Sequence, residues 1–177
     1  MARNKIKTML KLQILSVITL YAVSFTTEGQ DKIILKRADK AISTKDSAGW
    51  DLTQLEGTVW LKSGAINLYS DKADVFKRGK YILLTGDVKI DDDQSITIAT
   101  QNAKYYPTDN RLELTENFRC NSPEWTLRSA GATYDFKTHT FNLPEGATLE
   151  GPKGENPVII NGNTDIGSKN HRPSRDP

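Results

Sequence analysis

Three consecutive carboxylates, Asp91-Asp92-Asp93, one thiol, Cys120, and one internal histidine, His139, are the side chains of this 177-residue chain best equipped for chemistry. A run of acids suggests a cation loop. A calcium loop, however, needs oxygen ligands at positions 1, 3, 5 and 12 with glycine at 6, and that pattern is missing here, so the run reads as a turn. His139 follows Thr138 in what reads as a hairpin turn, with no acid or nucleophile predictable beside it, and is expected to be a solvated turn residue. The carboxylates Asp71 and Asp74 read as a polar strand end. A catalytic reading would rest on His139 or Asp135, and no nucleophile stands at a readable spacing from a base. A single cysteine excludes an intramolecular disulfide framework and a multi-thiolate zinc site. The expectation is no enzyme, no cofactor and no metal.

The remaining candidate for function is apolar surface, and the elements that arrange it come from an internal repeat. Leu55, Leu84, Leu114 and Leu143 are spaced by 29, 30 and 29 residues. The same steps relate Val59, Val88, Phe118 and Ala147, and also Leu61, Ile90, Cys120 and Leu149. Steps of 30 and 29 relate Ile66, Ile96 and Trp125; Leu68, Ile98 and Leu127; Ala73, Ala103 and Ala132; and Val75, Tyr105 and Tyr134. Seven columns in one register predict a stacked architecture. Cys120 falls in a core column and reads as a small buried hydrophobe.

Within a copy the apolar period is two, the spacing of a strand with one buried face. Ile82, Leu84, Val88 and Ile90 share a parity, whereas Ile96 and Ile98 are even-numbered and Ala103 and Tyr105 odd-numbered. The phase flips at the same place in each copy. A one-residue slip turns a buried face outward, so a recurrent slip predicts a bulge or corner where the strand changes sheet. Turn residues at 91–93, 107–110 and 121–123 separate the strands. An all-β domain over 32–150 is predicted. A first, partial copy begins at Ile33, with about six extra residues around Ser43–Trp50 expected to form a surface loop. Four of the seven prolines fall in 151–177, which is expected to be a disordered tail, with Val158–Ile160 able to add a short strand.

Residues 1–24 differ from the rest. Arg3, Lys5, Lys7 and Lys11, with no acid, precede an apolar stretch from Leu12 to Phe25. This is the pattern of an export signal, with a cut expected after Ser24; a retained membrane anchor is the alternative. Without that segment 20 basic residues face 22 acidic ones, and no basic stripe with interleaved aromatics remains, which argues against nucleic acid as a partner.

The repeated phrases resemble a known family. Leu84-Thr85-Gly86-Asp87-Val88-Lys89-Ile90, Ile96-Thr97-Ile98-Ala99-Thr100-Gln101-Asn102-Ala103-Lys104-Tyr105 and Leu127-Arg128-Ser129-Ala130-Gly131-Ala132-Thr133-Tyr134-Asp135 are similar to the OstA-like repeats of the lipopolysaccharide-transport proteins LptA and LptC. The third copy departs, with Thr115-Glu116-Asn117-Phe118 in place of Thr-Gly-x-Val. The resemblance implies an OstA-like β-jellyroll of two V-shaped antiparallel sheets. It also implies a periplasmic location and a role carrying lipopolysaccharide toward the outer membrane through an apolar groove. Its partners would be the lipid A acyl chains and other Lpt components paired along edge strands, with end-to-end self-association as a further mode. A cleaved signal would suit an LptA-like bridge and a retained segment an LptC-like adaptor. Under either, the residues expected to line the groove are Leu68, Leu84, Val88, Ile98, Tyr105, Leu114, Phe118, Leu127 and Tyr134. The same columns would serve equally to hold two sheets together, as in a structural or adhesive β-scaffold that binds no lipid.

Overall fold

The computed structural model describes residues 24–25, 32–92, 95–151, 157–160 and 164–167. Apart from Ser24, the expected export segment lies outside the described residues. The chain is all-β as its periodicity predicts, with no helix among the described residues. The strands are β1 (Ser24–Phe25), β2 (Ile33–Arg37), β3 (Lys40–Lys45), β4 (Asp51–Ser63), β5 (Ile66–Phe76), β6 (Tyr81–Asp91), β7 (Thr97–Tyr106) and β8 (Arg111–Leu114). They continue with β9 (Phe118–Asn121), β10 (Thr126–Ser129), β11 (Ala132–Asp135), β12 (Thr140–Leu143), β13 (Ala147–Glu150), β14 (Val158–Ile160) and β15 (Thr164–Gly167).

All pairings are antiparallel and join the strands into one continuous sheet that divides into two leaves. The first leaf runs β3-β4-β5-β6-β7-β8-β11-β12-β15. The second runs β1-β2-β4-β5-β6-β7-β9-β10-β13-β14. Strands β4 to β7 pass through both, one half of each strand in each leaf.

The passage between leaves occurs where the sequence flips phase. Glu56 pairs with Lys72 and Val59 with Ser70, so Gly57-Thr58 stand opposite Asp71 alone; likewise Gly86-Asp87 stand opposite Gln101. Two residues against one is a bulge, which bends the strand. Both members of each pair are left-handed, Gly57 at φ 69 with Thr58 at 40 and Gly86 at φ 75 with Asp87 at 40. Glycine is needed at the first position on two counts: it adopts that φ without strain, and a β-carbon at Gly57 or Gly86 would overlap the carboxylate of Asp39 or Asp71, respectively. The partner strand is held by a hydroxyl that bonds to a carbonyl two residues on: Ser70 to Lys72 (2.8 Å), Thr100 to Asn102 (3.4 Å) and Ser129 to Gly131 (3.1 Å). In the third copy, where Glu116-Asn117 replace the glycine pair, the long strand is broken outright into β8 and β9.

Two stretches differ from expectation. The extra residues of the first copy form a hairpin, β3 with the start of β4, and only 46–50 make the turn, where Asp46 Oδ1 accepts from Ala48 and Trp50 N at 2.9 Å each. Alternating short polar residues in Ser43-Thr44-Lys45 hide a strand whose two faces are both largely exposed. Within the tail, Val158–Ile160 extends the second leaf beside β13, and Thr164–Gly167 extends the first beside β12. Backbone pairing at an open edge needs no apolar side chain, so composition did not reveal β15.

Candidate functional site

The inward faces of the two leaves meet in one apolar cluster. The first leaf contributes Leu55, Ala73, Leu84, Ala103, Tyr105, Leu114, Tyr134 and Phe141, and the second contributes Val59, Leu61, Leu68, Val88, Ile98, Phe118, Cys120 and Leu127. All nine residues expected to line a groove point into this cluster, and none exposes more than 4% of its surface. Leu68, Ile98 and Leu127 lie within one leaf, and Leu84, Tyr105, Leu114 and Tyr134 within the other. They therefore do come together, but as a filled interior rather than an open trough. Aromatic rings fill its C-terminal half: Phe118 stacks on Phe141 across the leaves (centroids 5.8 Å, 10° between planes), and Tyr134 lies 4.4 Å from Phe141 and 4.8 Å from Phe136.

The leaves join at the corners and are held at their far ends by two polar locks. The Tyr105 hydroxyl, from the first leaf, is hydrogen-bonded to Ser63 Oγ at the end of β4 in the second (2.9 Å) and to Asn110 Oδ1 in its own turn (3.3 Å). The Tyr134 hydroxyl donates to Asp92 Oδ2 (3.0 Å), after β6, and lies 3.3 Å from His139 Nδ1. Ser63 to Asp92, Tyr105 to Tyr134 and Asn110 to His139 are each a step of 29 residues, so the two locks are copies of one device. Asn110 and His139 are both left-handed, at φ 51 and 53, which turns each side chain back toward its tyrosine. His139 is thus not the solvated turn residue expected: its ring is 15% exposed and 3.8 Å from Asp92. Residue spacing within the turn carries no sign of Asp92, which arrives from a strand 47 residues earlier.

The other chemical candidates are engaged locally. Asp91 accepts from Thr97 Oγ1 and Lys89 Nζ (2.8 Å each), and Asp92 Oδ1 from the Ile96 amide (3.0 Å); Asp93 lies outside the described residues. Asp135 Oδ1 accepts from the amides of Lys137 and Thr138 (2.7 and 3.0 Å), shaping the turn that carries His139. Cys120 is fully buried, and burial foremost, with the charge of Asp92 second, pushes its thiol well above the ordinary range. A thiol so held is inert while the interior stays closed.

On the outer face of the first leaf, Glu113 accepts from Tyr106 Oη (2.9 Å) and from Arg111, whose guanidinium lies 4.1 Å from the Tyr106 ring. Burial pushes the Glu113 carboxyl up, but hydrogen bonds from Arg111 and Tyr106 and the charges of Arg111 and Lys104 outweigh it, and the net shift is downward. A depressed carboxyl adds stability that is complete above the unfolded value of about 4.3 and is lost as pH falls through the folded value. Glu113→Gln should therefore melt below wild type at pH 7, and the gap should close as pH falls below about 4. A gap of constant size in melts from pH 7 to 3 would contradict this.

With the architecture in view, the family model described as lipopolysaccharide-assembly, LptC-related, matches residues 16–149. The chain belongs to the LptC-related family. The fold of this LptC-related protein is similar to the crystal structure of LptH, the LptA-homologous periplasmic component of the lipopolysaccharide transport device of Pseudomonas aeruginosa. The two agree with a TM-score of 0.55 at 15% identity, over 76% of this chain and 93% of that one. No curated protein matches the chain. The features that sequence reasoning missed in the LptC-related protein are polar: the locks at Ser63 and Asp92, and the corner hydroxyls Ser70, Thr100 and Ser129. All follow the 29- or 30-residue step, so the repeat carries polar columns as well as apolar ones.

Proposed function

We propose that this LptC-related protein carries lipopolysaccharide across the periplasm, with acyl chains taken up between the two leaves against Leu68, Leu84, Val88, Ile98, Tyr105, Leu114, Phe118, Leu127 and Tyr134. The observation that carries the reading is the single apolar interior shared by successive copies, closed at its far ends by two hydrogen-bonded locks rather than by covalent links. Acyl chains exposed in water cost about 25 cal/mol per Å², and an interior of this composition removes that cost once the locks release. Among the described residues the end strands are β3 and β15 of one leaf and β1 and β14 of the other, and they offer backbone groups to a second copy or to other transport components.

Photo-crosslinking in cells from probes placed in turn at Leu68, Ile98 and Leu127 tests the reading. Lipid adducts are expected from these positions and protein adducts from β3. Protein adducts at the edge with no lipid adduct at any of the three would favour a β-scaffold instead. Position in the pathway follows the fate of residues 1–24. A cut after Ser24 makes the protein a soluble, LptA-like bridge. A retained segment makes it an LptC-like adaptor anchored in the inner membrane. N-terminal sequencing of the exported protein separates the two.

A further inference from the structure

Outside the second leaf, facing away from the interior, a straight cross-strand row reads Lys89 of β6, Ala99 of β7, Arg119 of β9 and Arg128 of β10. Neighbouring strands are about 4.8 Å apart, so Ala99 is flanked by Lys89, which is paired with Asp91, and by Arg119, with Arg128 one strand further on. Arg119 and Arg128 stand directly opposite each other, an arrangement that repels. Each guanidinium is fixed through Nε, Arg119 to Asn121 Oδ1 (2.9 Å) and Arg128 to Glu150 Oε1 (3.2 Å), and Arg119 has no carboxylate partner among the described residues. Beside them opens a depression of about 450 Å³, lined by both arginines together with Ala99, Asn117, Phe118, Ser129 and Ala130.

The depression exists because the later copies break the repeat. At the first two corners a carboxylate, Asp39 or Asp71, lies over the bulge glycine. From Asp71, steps of 30 and 29 lead to Gln101 and Ala130, so the acid is gone. The equivalent of Gly86 is Glu116, where the strand is severed before Phe118 and leaves room. The result is an outer corner that has lost the carboxylate equivalent to Asp71 and gained two opposed arginines, one of them paired with Glu150.

We infer that this corner binds a phosphate monoester on a sugar-sized carrier, its oxygens held between the guanidinium groups of Arg119 and Arg128. Planar guanidinium groups match phosphate geometry in bidentate fashion. A dianion relieves the repulsion of two opposed arginines, which a single carboxylate would only half offset. The volume lies within the range of small-molecule sites. The phosphate is presented either by a soluble sugar phosphate or by a lipid head group at a membrane surface. Both guanidinium groups lie on the outer face, while the floor of the depression reaches Phe118, whose ring stacks on Phe141 in the interior.

The test titrates the full chain with glucose 6-phosphate, using glucose as control, and in parallel floats it with vesicles of phosphatidylcholine with or without phosphatidic acid. Saturable binding to the sugar phosphate identifies a soluble source; binding only to phosphatidic acid vesicles identifies a head group. Either supports the site if Arg119→Gln with Arg128→Gln weakens it about tenfold or more, as loss of charged hydrogen bonds requires. Glu150→Gln, which releases Arg128, should strengthen it. Absence of saturable binding in both arms would overturn the inference. So would wild-type affinity in the double variant with an unchanged circular-dichroism spectrum and melting temperature.

Discussion

Ile98→Asp should leave the protein unfolded at neutral pH, or melting far below wild type. Ile98 is 1% exposed and pairs with Ile90 on one side and Cys120 on the other, all facing the interior. Truncating such a side chain costs about 2–5 kcal/mol, and an unpaired carboxylate in its place adds several more. Whole domains are stable by only about 5–15 kcal/mol. Any folded fraction would hold that carboxyl above its unfolded pKa. A raised carboxyl loses stability as pH rises, so the variant should be least impaired near pH 4. Leu114→Asp should behave alike from the other leaf. Circular-dichroism melts beside a lipid-binding assay check both, and wild-type values in the two measurements would refute the inward placement.

The second expected result concerns the locks. Tyr105→Phe with Tyr134→Phe removes both hydroxyls that tie the far ends of the leaves while keeping the rings that pack on Phe136 and Phe141. Leaving Asp92, whose side chain is 2% exposed, without that donor costs about 1–3 kcal/mol, and the neutral bond at Ser63 adds about 1 kcal/mol. Since each 1.4 kcal/mol is a factor of ten in an equilibrium constant, opening of the leaves should become roughly thirtyfold to several hundredfold more frequent. Cys120 reports it, because its buried thiol reacts only when the interior is exposed. Alkylation under native conditions should accelerate by that factor, and lipid loading should become faster. Unchanged alkylation would mean that the leaves are closed by apolar packing alone and that the locks are incidental.

The columns at Leu55, Leu68, Ala73 and their partners were legible because every copy places the same apolar type at the same side of a strand, and a parity flip has one structural meaning, a corner. The corner itself was legible in the change of parity between Ile98 and Ala103, whereas the bulge glycines Gly57 and Gly86 opposite it were not singled out. The hairpin at Lys40–Lys45 was not legible, since a strand exposed on both faces has no apolar period. Nor was the role of His139, whose partner Asp92 belongs to another leaf. The outer depression was visible only as a lapse in the third copy, Glu116-Asn117 for the glycine pair, with no hint that Arg119 and Arg128 would stand opposite each other across it.

By itself, then, the order of residues determined an all-β repeat, the inward side of the repeated strands, the places where they bend and the family to which the chain belongs. Tertiary structure alone decided how near the two leaves stand, and so that the interior is filled and locked rather than open. The reason is physical: alternation along a strand specifies which face avoids water, whereas the distance between facing leaves depends on side-chain volumes and on polar contacts such as Tyr134 to Asp92, made between residues 42 positions apart.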